Sequence, residues 1–127
     1  AVSAQNDEDF VGISGGIFAK PGQFPFQAAL LIKKESSSTL CGGSIISEVW
    51  IITAAHCLDT AKSVQVVVGT ENIRKLDNAQ KFLVSNTKNI IIHPKYLKTY
   101  FNNDVGLLKL DTKIKFSNLV SMIKFPK

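Results

Sequence analysis

The groups from which base, thiol or metal chemistry could be built in this 127-residue chain are two histidines, two cysteines and ten acidic residues. His56 is the most informative of them. It closes the segment Cys41-Gly42-Gly43-Ser44-Ile45-Ile46-Ser47-Glu48-Val49-Trp50-Ile51-Ile52-Thr53-Ala54-Ala55-His56-Cys57. That segment reads as a strand, a tight turn, and a second strand ending in a small-residue turn that presents the imidazole. Cys57 follows the histidine directly, so a bridge from Cys57 to Cys41 would pin the turn against the first strand and hold the ring where a base must sit. Ala54 and Ala55 would let the turn approach the rest of the molecule closely. A single bridge of this span is expected to stabilise by about 3 kcal/mol in the loop-entropy description, and pairing of the two cysteines fits an oxidising, extracellular setting.

Other chemistries find little support. His56 and His93 are the only histidines, and neither H-x-x-x-H nor paired C-x-x-C spacing occurs, so no metal and no cofactor are expected. No glycine-rich loop leads from a strand into a helix to cradle phosphate. No serine lies in a G-D-S-G-G sequence, and Ser44, in its Gly-Gly-Ser stretch, reads as structural.

The elements that must position His56 are short, β-branched and separated by turn residues. Phe26 to Ile32, Leu40 to Ile46, Val49 to Thr53, Val64 to Val68, Phe82 to Val84 leading on to Ile90-Ile91-Ile92, and Val105 to Leu110 give six strands. Their lengths and the lack of sustained 3.6-residue periodicity point to an all-β antiparallel barrel, whose closure would remove free edges. Residues 1–12 carry Gln5-Asn6-Asp7-Glu8-Asp9 and little that could pack, which predicts a flexible N-terminal extension ahead of one domain over 13–127. The length suits a single core. No apolar run approaches the roughly 20 residues of a membrane span. The absence of a leader ahead of Ala1 is consistent with a secreted protein whose signal peptide has been removed.

The net charge of +5 comes from fourteen Lys and one Arg spread along the chain without a basic block. Sequence-specific nucleic-acid readout favours the planar Arg fork and is not expected. Scattered lysine supports at most weak polyanion binding.

The Cys41–Cys57 segment closely resembles the histidine motif of trypsin- and chymotrypsin-like serine proteases. A second stretch, His93-Pro94-Lys95-Tyr96 followed by Asn102-Asn103-Asp104-Val105-Gly106-Leu107-Leu108-Lys109-Leu110, resembles the strand on which that family carries its acid. Ile13-Ser14-Gly15-Gly16 and Gly22-Gln23-Phe24-Pro25-Phe26-Gln27 resemble the mature N-terminus and first strand, in the style of insect digestive proteases. The resemblance implies a single half of the chymotrypsin-like double barrel. It also implies that His56 is a general base and Asp104 the residue that orients it; by residue type alone, Asp104 would be a turn former. Gly12 ahead of Ile13 does not signal trypsin-type activation. Gly106 stands where the family usually has Ala and is expected to loosen its strand.

In that family the nucleophilic serine, the oxyanion hole and the specificity pocket come from a second barrel, which is absent from these 127 residues. The resulting expectation is a catalytically inactive, secreted protease homologue acting by binding. Its partner would be another protein, with host haemostatic or immune components as candidates, or a second copy, through the face left by the missing barrel. Salivary or gut origin is the matching analogy. The alternative is the N-terminal fragment of a two-chain endopeptidase.

Overall fold

The computed structural model describes residues 24–69, 79–96 and 103–124. The N-terminal extension over 1–12 and the Ile13-Ser14-Gly15-Gly16 stretch lie outside the described residues. Within them, the chain forms β1 (Gln27–Lys33), β2 (Ser38–Ile45), β3 (Trp50–Thr53), the one-turn helix α1 (Ala55–Leu58), β4 (Ser63–Val68), β5 (Gln80–Val84), β6 (Ile90–Ile92) and β7 (Gly106–Lys109). The seven strands make one antiparallel sheet in the order β5-β4-β1-β2-β3-β7-β6.

The all-β architecture is a curled half-barrel, with seven strands rather than the six read from the sequence. The miscount arose at Phe82 to Ile92, which is two strands separated by a 3-10 turn over Thr87–Asn89. Asn86 initiates that turn by accepting the Lys88 backbone N–H on its side-chain oxygen at 3.0 Å, the ordinary competition of a short polar side chain with strand pairing.

Alternation decides which face turns inward. Ala28, Leu30 and Ile32 of β1 and Val64, Val66 and Val68 of β4 are buried, while Leu31 and Lys33 face out. They meet Ile45, Ile51, Val84, Leu108, Leu110, Ile114 and Val120 in one core. Each such side chain contributes about 1.5–3 kcal/mol when fully buried, so the core sets the strand register.

The run read as a strand from Leu40 to Ile46 is β2, and Gly-Gly-Ser is continuous strand within it, so Ser44 lies in no turn. Gly42 pairs with Ala29, Gly43 with Ala28 and Ser44 with Gln27. The glycine at 43 serves close approach: a Cβ there would lie 2.9 Å from Ile51 Cγ2 and 3.0 Å from the Ile52 carbonyl oxygen.

The sheet's end strands β5 and β6 do not pair with each other. At the β5 end the Gln80 carboxamide bonds the Lys115 backbone twice, accepting its N–H and donating to its carbonyl, both at 2.9 Å. Three backbone bonds then strap residues 114–123 across the half-barrel: Ile114 N–H to Glu48, Ser121 N–H to Pro25, and Ile123 N–H to Ile45.

Candidate active site

The site lies where β3 and β7 end together. These strands pair antiparallel, with Thr53 opposite Gly106. His56 follows Thr53 by three residues and Asp104 precedes Gly106 by two, so the register alone delivers both side chains to one edge of the sheet.

On the histidine side, Ala54 is extended and Ala55 starts α1, which puts His56 in a single helical turn. Cys57 is bridged to Cys41 on β2, with Cα atoms 6.4 Å apart. Thr53, itself buried, donates its hydroxyl to the Gly42 carbonyl at 2.8 Å. The turn bearing the imidazole is therefore fixed to β2 by one covalent bond and one buried hydrogen bond, on either side of the histidine.

On the aspartate side, Asn103 adopts a left-handed conformation, φ 59°, which asparagine tolerates better than most residues. Its amide donates to the Lys95 carbonyl at 3.0 Å. The Val105 N–H bonds back to the Asn103 carbonyl at 2.8 Å, closing a tight turn around Asp104, while Val105's own carbonyl accepts the His93 N–H. The sharp reversal aims the carboxylate at α1.

Asp104 grips His56 twice. One carboxylate oxygen accepts the His56 backbone N–H at 2.7 Å, and the other lies 2.6 Å from ring Nδ1. The first contact satisfies one of the N–H groups that a helix start leaves without an intrahelical partner. The second fixes the tautomer. Burial raises the Asp104 pKa, but the hydrogen bonds from the His56 ring and backbone, the His56 charge and the Ala55 N–H together outweigh it. The carboxyl is held below its usual range. An ionised carboxylate only accepts, so Nδ1 carries a proton, and in the neutral form of the ring the lone pair is on Nε2. Chemically, such an arrangement can serve as a base with an orienting, charge-compensating partner. The side chains are 30% and 22% exposed, so the ring is reachable while its partner is partly shielded.

Beside the pair, Ile52, Thr53, Ala54, Asp104 and Val105 line a shallow cleft of about 260 Å³. Among the described residues no group of three His, Cys, Asp or Glu side chains could hold a metal ion, and no helix is long and apolar enough to cross a membrane.

Two contributors were not legible in the sequence. The His56 backbone donor emerges only once the fold brings position 104 within reach. Leu58, wholly buried, packs over Gly106, where an added Cβ would meet Leu58 Cδ1 at 2.6 Å. Gly106 makes room for the helix that carries His56.

The half-barrel thus offers an aspartate-held imidazole at the shared end of two strands. The trypsin family model matches residues 13–127, and the chain belongs to the trypsin family. It is similar to coagulation factor IX from Oryctolagus cuniculus, 41% identical over 94% of this chain and 42% of that protein. It is also similar to brachyurin from Leptuca pugilator, 37% identical over 90% of this chain and 48% of that protein. The solved structure of GrC superposes with a TM-score of 0.76 at 30% identity, covering 86% of this chain and 47% of that one. The chain thus spans about half the length of the relatives it matches.

Proposed function

We propose that these 127 residues carry the general base, His56, and its orienting carboxylate, Asp104, of a trypsin-type serine peptidase site. They act on peptide bonds only together with a serine-bearing second half, whether continuous with this chain or supplied as a separate polypeptide. The observation that carries this reading is the double hold of Asp104 on His56, which fixes both the ring's position and its tautomer. In the reaction His56 Nε2 would take the proton of the attacking hydroxyl, and Asp104 would stabilise the imidazolium that forms. The sequence holds no G-D-S-G-G, and loss of the attacking group from a subtilisin-type triad costs about 10⁶ in turnover. Alone, the chain binds rather than cleaves. The disulfide between Cys41 and Cys57 suits an extracellular location.

The purified chain is expected neither to be labelled by a fluorophosphonate probe nor to turn over peptide esters. Mixing it with a serine-bearing second half-barrel of the trypsin type is expected to produce labelling of that second polypeptide, and H56A to prevent it. Turnover by the chain alone that disappears when one of its own serines is replaced would refute the reading.

A second reading is favoured by exposed apolar residues, Val105 at 41% beside the cleft and Met122 at 47%. In it the chain is a secreted, inert homologue of insect type that acts by binding a host haemostatic or immune protein, or a second copy. Exposed apolar surface of this kind marks partner sites when it is contiguous. A strictly monomeric species in sedimentation, with no complex formed in host plasma fractions, would remove it.

A further inference from the structure

We propose that Leu58 and Gly106 form a size-matched positioning pair that sets the distance between His56 and Asp104. This extends the reading of those two residues as a base and its orienting acid. Leu58 is the last residue of α1, two after His56, and is 1% exposed. Gly106 is the first residue of β7, two after Asp104, and it pairs with Thr53 on one side and Ile92 on the other. The two residues stand at matching offsets on the two elements that carry the site. Leu58's side chain fills the space where a Cβ at 106 would stand, 2.6 Å from Cδ1 and 3.5 Å from Cγ.

Carbon atoms rest at about 3.5–4.0 Å, so a methyl group at 106 requires about 1 Å of relief. On its other side the same Cβ would already be 3.2 Å from the Ile91 carbonyl oxygen. Gly106 is held between two neighbouring strands, and Leu58 is enclosed by the core. The element with least ladder support is the single turn α1. Moving it by about 1 Å would lengthen a hydrogen bond of 2.6 Å between His56 Nδ1 and Asp104 Oδ2 beyond the range in which such bonds form. The glycine thus sets how closely α1 lies on β7, and the leucine sets it from the opposite side.

The test uses the full chain and reads the Nδ1–H proton of His56, whose resonance lies far downfield when the proton is held by a carboxylate. The wild type is expected to show it. G106A is expected to lose it or to move it markedly upfield. L58V, which removes Cδ1, is expected to keep it. The double variant G106A/L58V is expected to regain it, a rescue that a general loss of stability would not give. An unchanged resonance in folded G106A overturns the proposal, because Leu58 has then changed rotamer without moving α1. A folded double variant lacking the resonance also overturns it. If G106A does not fold, the double variant decides. Its failure to fold as well overturns the proposal, since the obstacle is then the Ile91 carbonyl and not Leu58. The signal reports geometry without substrate, so it can fail while the complementation experiment succeeds, and the reverse.

Discussion

Replacing Asp104 by asparagine isolates what the carboxylate does. The amide can keep one oxygen for the His56 backbone N–H, held at 2.7 Å in the wild type. Its NH₂ must then face ring Nδ1, donor against donor, where the carboxylate had accepted at 2.6 Å. Either the ring moves its proton to Nε2 and accepts from the amide, or the contact opens. Hydrogen bonds to a charged group contribute about 1.5–3 kcal/mol. The partial exposure of both side chains calls for the lower part of that range, so a loss of about 1.5 kcal/mol is expected. In a domain of this size that lowers Tm by roughly 4–8 °C.

The pH dependence carries a sign. Asp104 is held below its usual range in the folded protein, so its contribution is complete above the unfolded value of about 3.9. It is lost as pH falls through the folded value. Thermal unfolding of wild type and D104N between pH 5 and pH 2 should therefore give a Tm gap that closes below about pH 4. The remaining carboxylates titrate in both proteins and cancel in the difference. A gap of zero at pH 7, or one that fails to close as pH falls from about 4 to 2, would refute the reasoning. In a reconstituted enzyme the same substitution should also remove the base, because the Nε2 lone pair is lost; the corresponding change in a trypsin-type triad lowers kcat by about 10⁴.

The other supports of the His56 turn make two further predictions. Replacing Cys41 and Cys57 together by alanine opens a bridge between positions 16 apart, and a loss of about 3 kcal/mol is expected; urea midpoints of the oxidised wild type and the double variant that coincide would count against it. Thr53→Val keeps the shape but leaves the Gly42 carbonyl without the hydroxyl donor it has at 2.8 Å. The expected cost is about 1–3 kcal/mol, with faster amide exchange at the start of α1. An unchanged exchange pattern there would mean that the hydroxyl holds β2 and β3 together without fixing the turn.

The parts of the molecule that were legible in the sequence are those in which one local signal dominates. β1, β3, β4 and β7 are short apolar runs with polar breaks, and each falls close to the span read from residue types. His56 was identifiable because a specific motif surrounds it, and Asp104 because a second motif places it at the start of a strand. The errors fall where tertiary contact overrides local type. Gly42-Gly43-Ser44 has the composition of a turn, yet Ile51 and Leu30 press so close to position 43 that glycine is needed inside a strand. Ser85 to Asn89 separates two strands through one Asn86 hydrogen bond, a signal too short to break an apolar pattern read in longer windows.

Gly106 shows why the finer geometry of the site stayed hidden. Taken alone, a glycine within a strand weakens it through lost packing and greater chain entropy. In the fold its missing side chain is occupied by Leu58, a residue 48 positions earlier in the chain. The same span separates His56 from Asp104. One long-range closure therefore creates both the catalytic-type contact and the packing contact that spaces it. A sequence motif can name the imidazole and the carboxylate, but the distance between them is a property of the β3–β7 register and of what fills the gap beneath α1. It follows that substitutions at 58 or 106 should reach the base without touching it, and that the chemistry of this half-site is governed as much by an apolar pair as by the polar one.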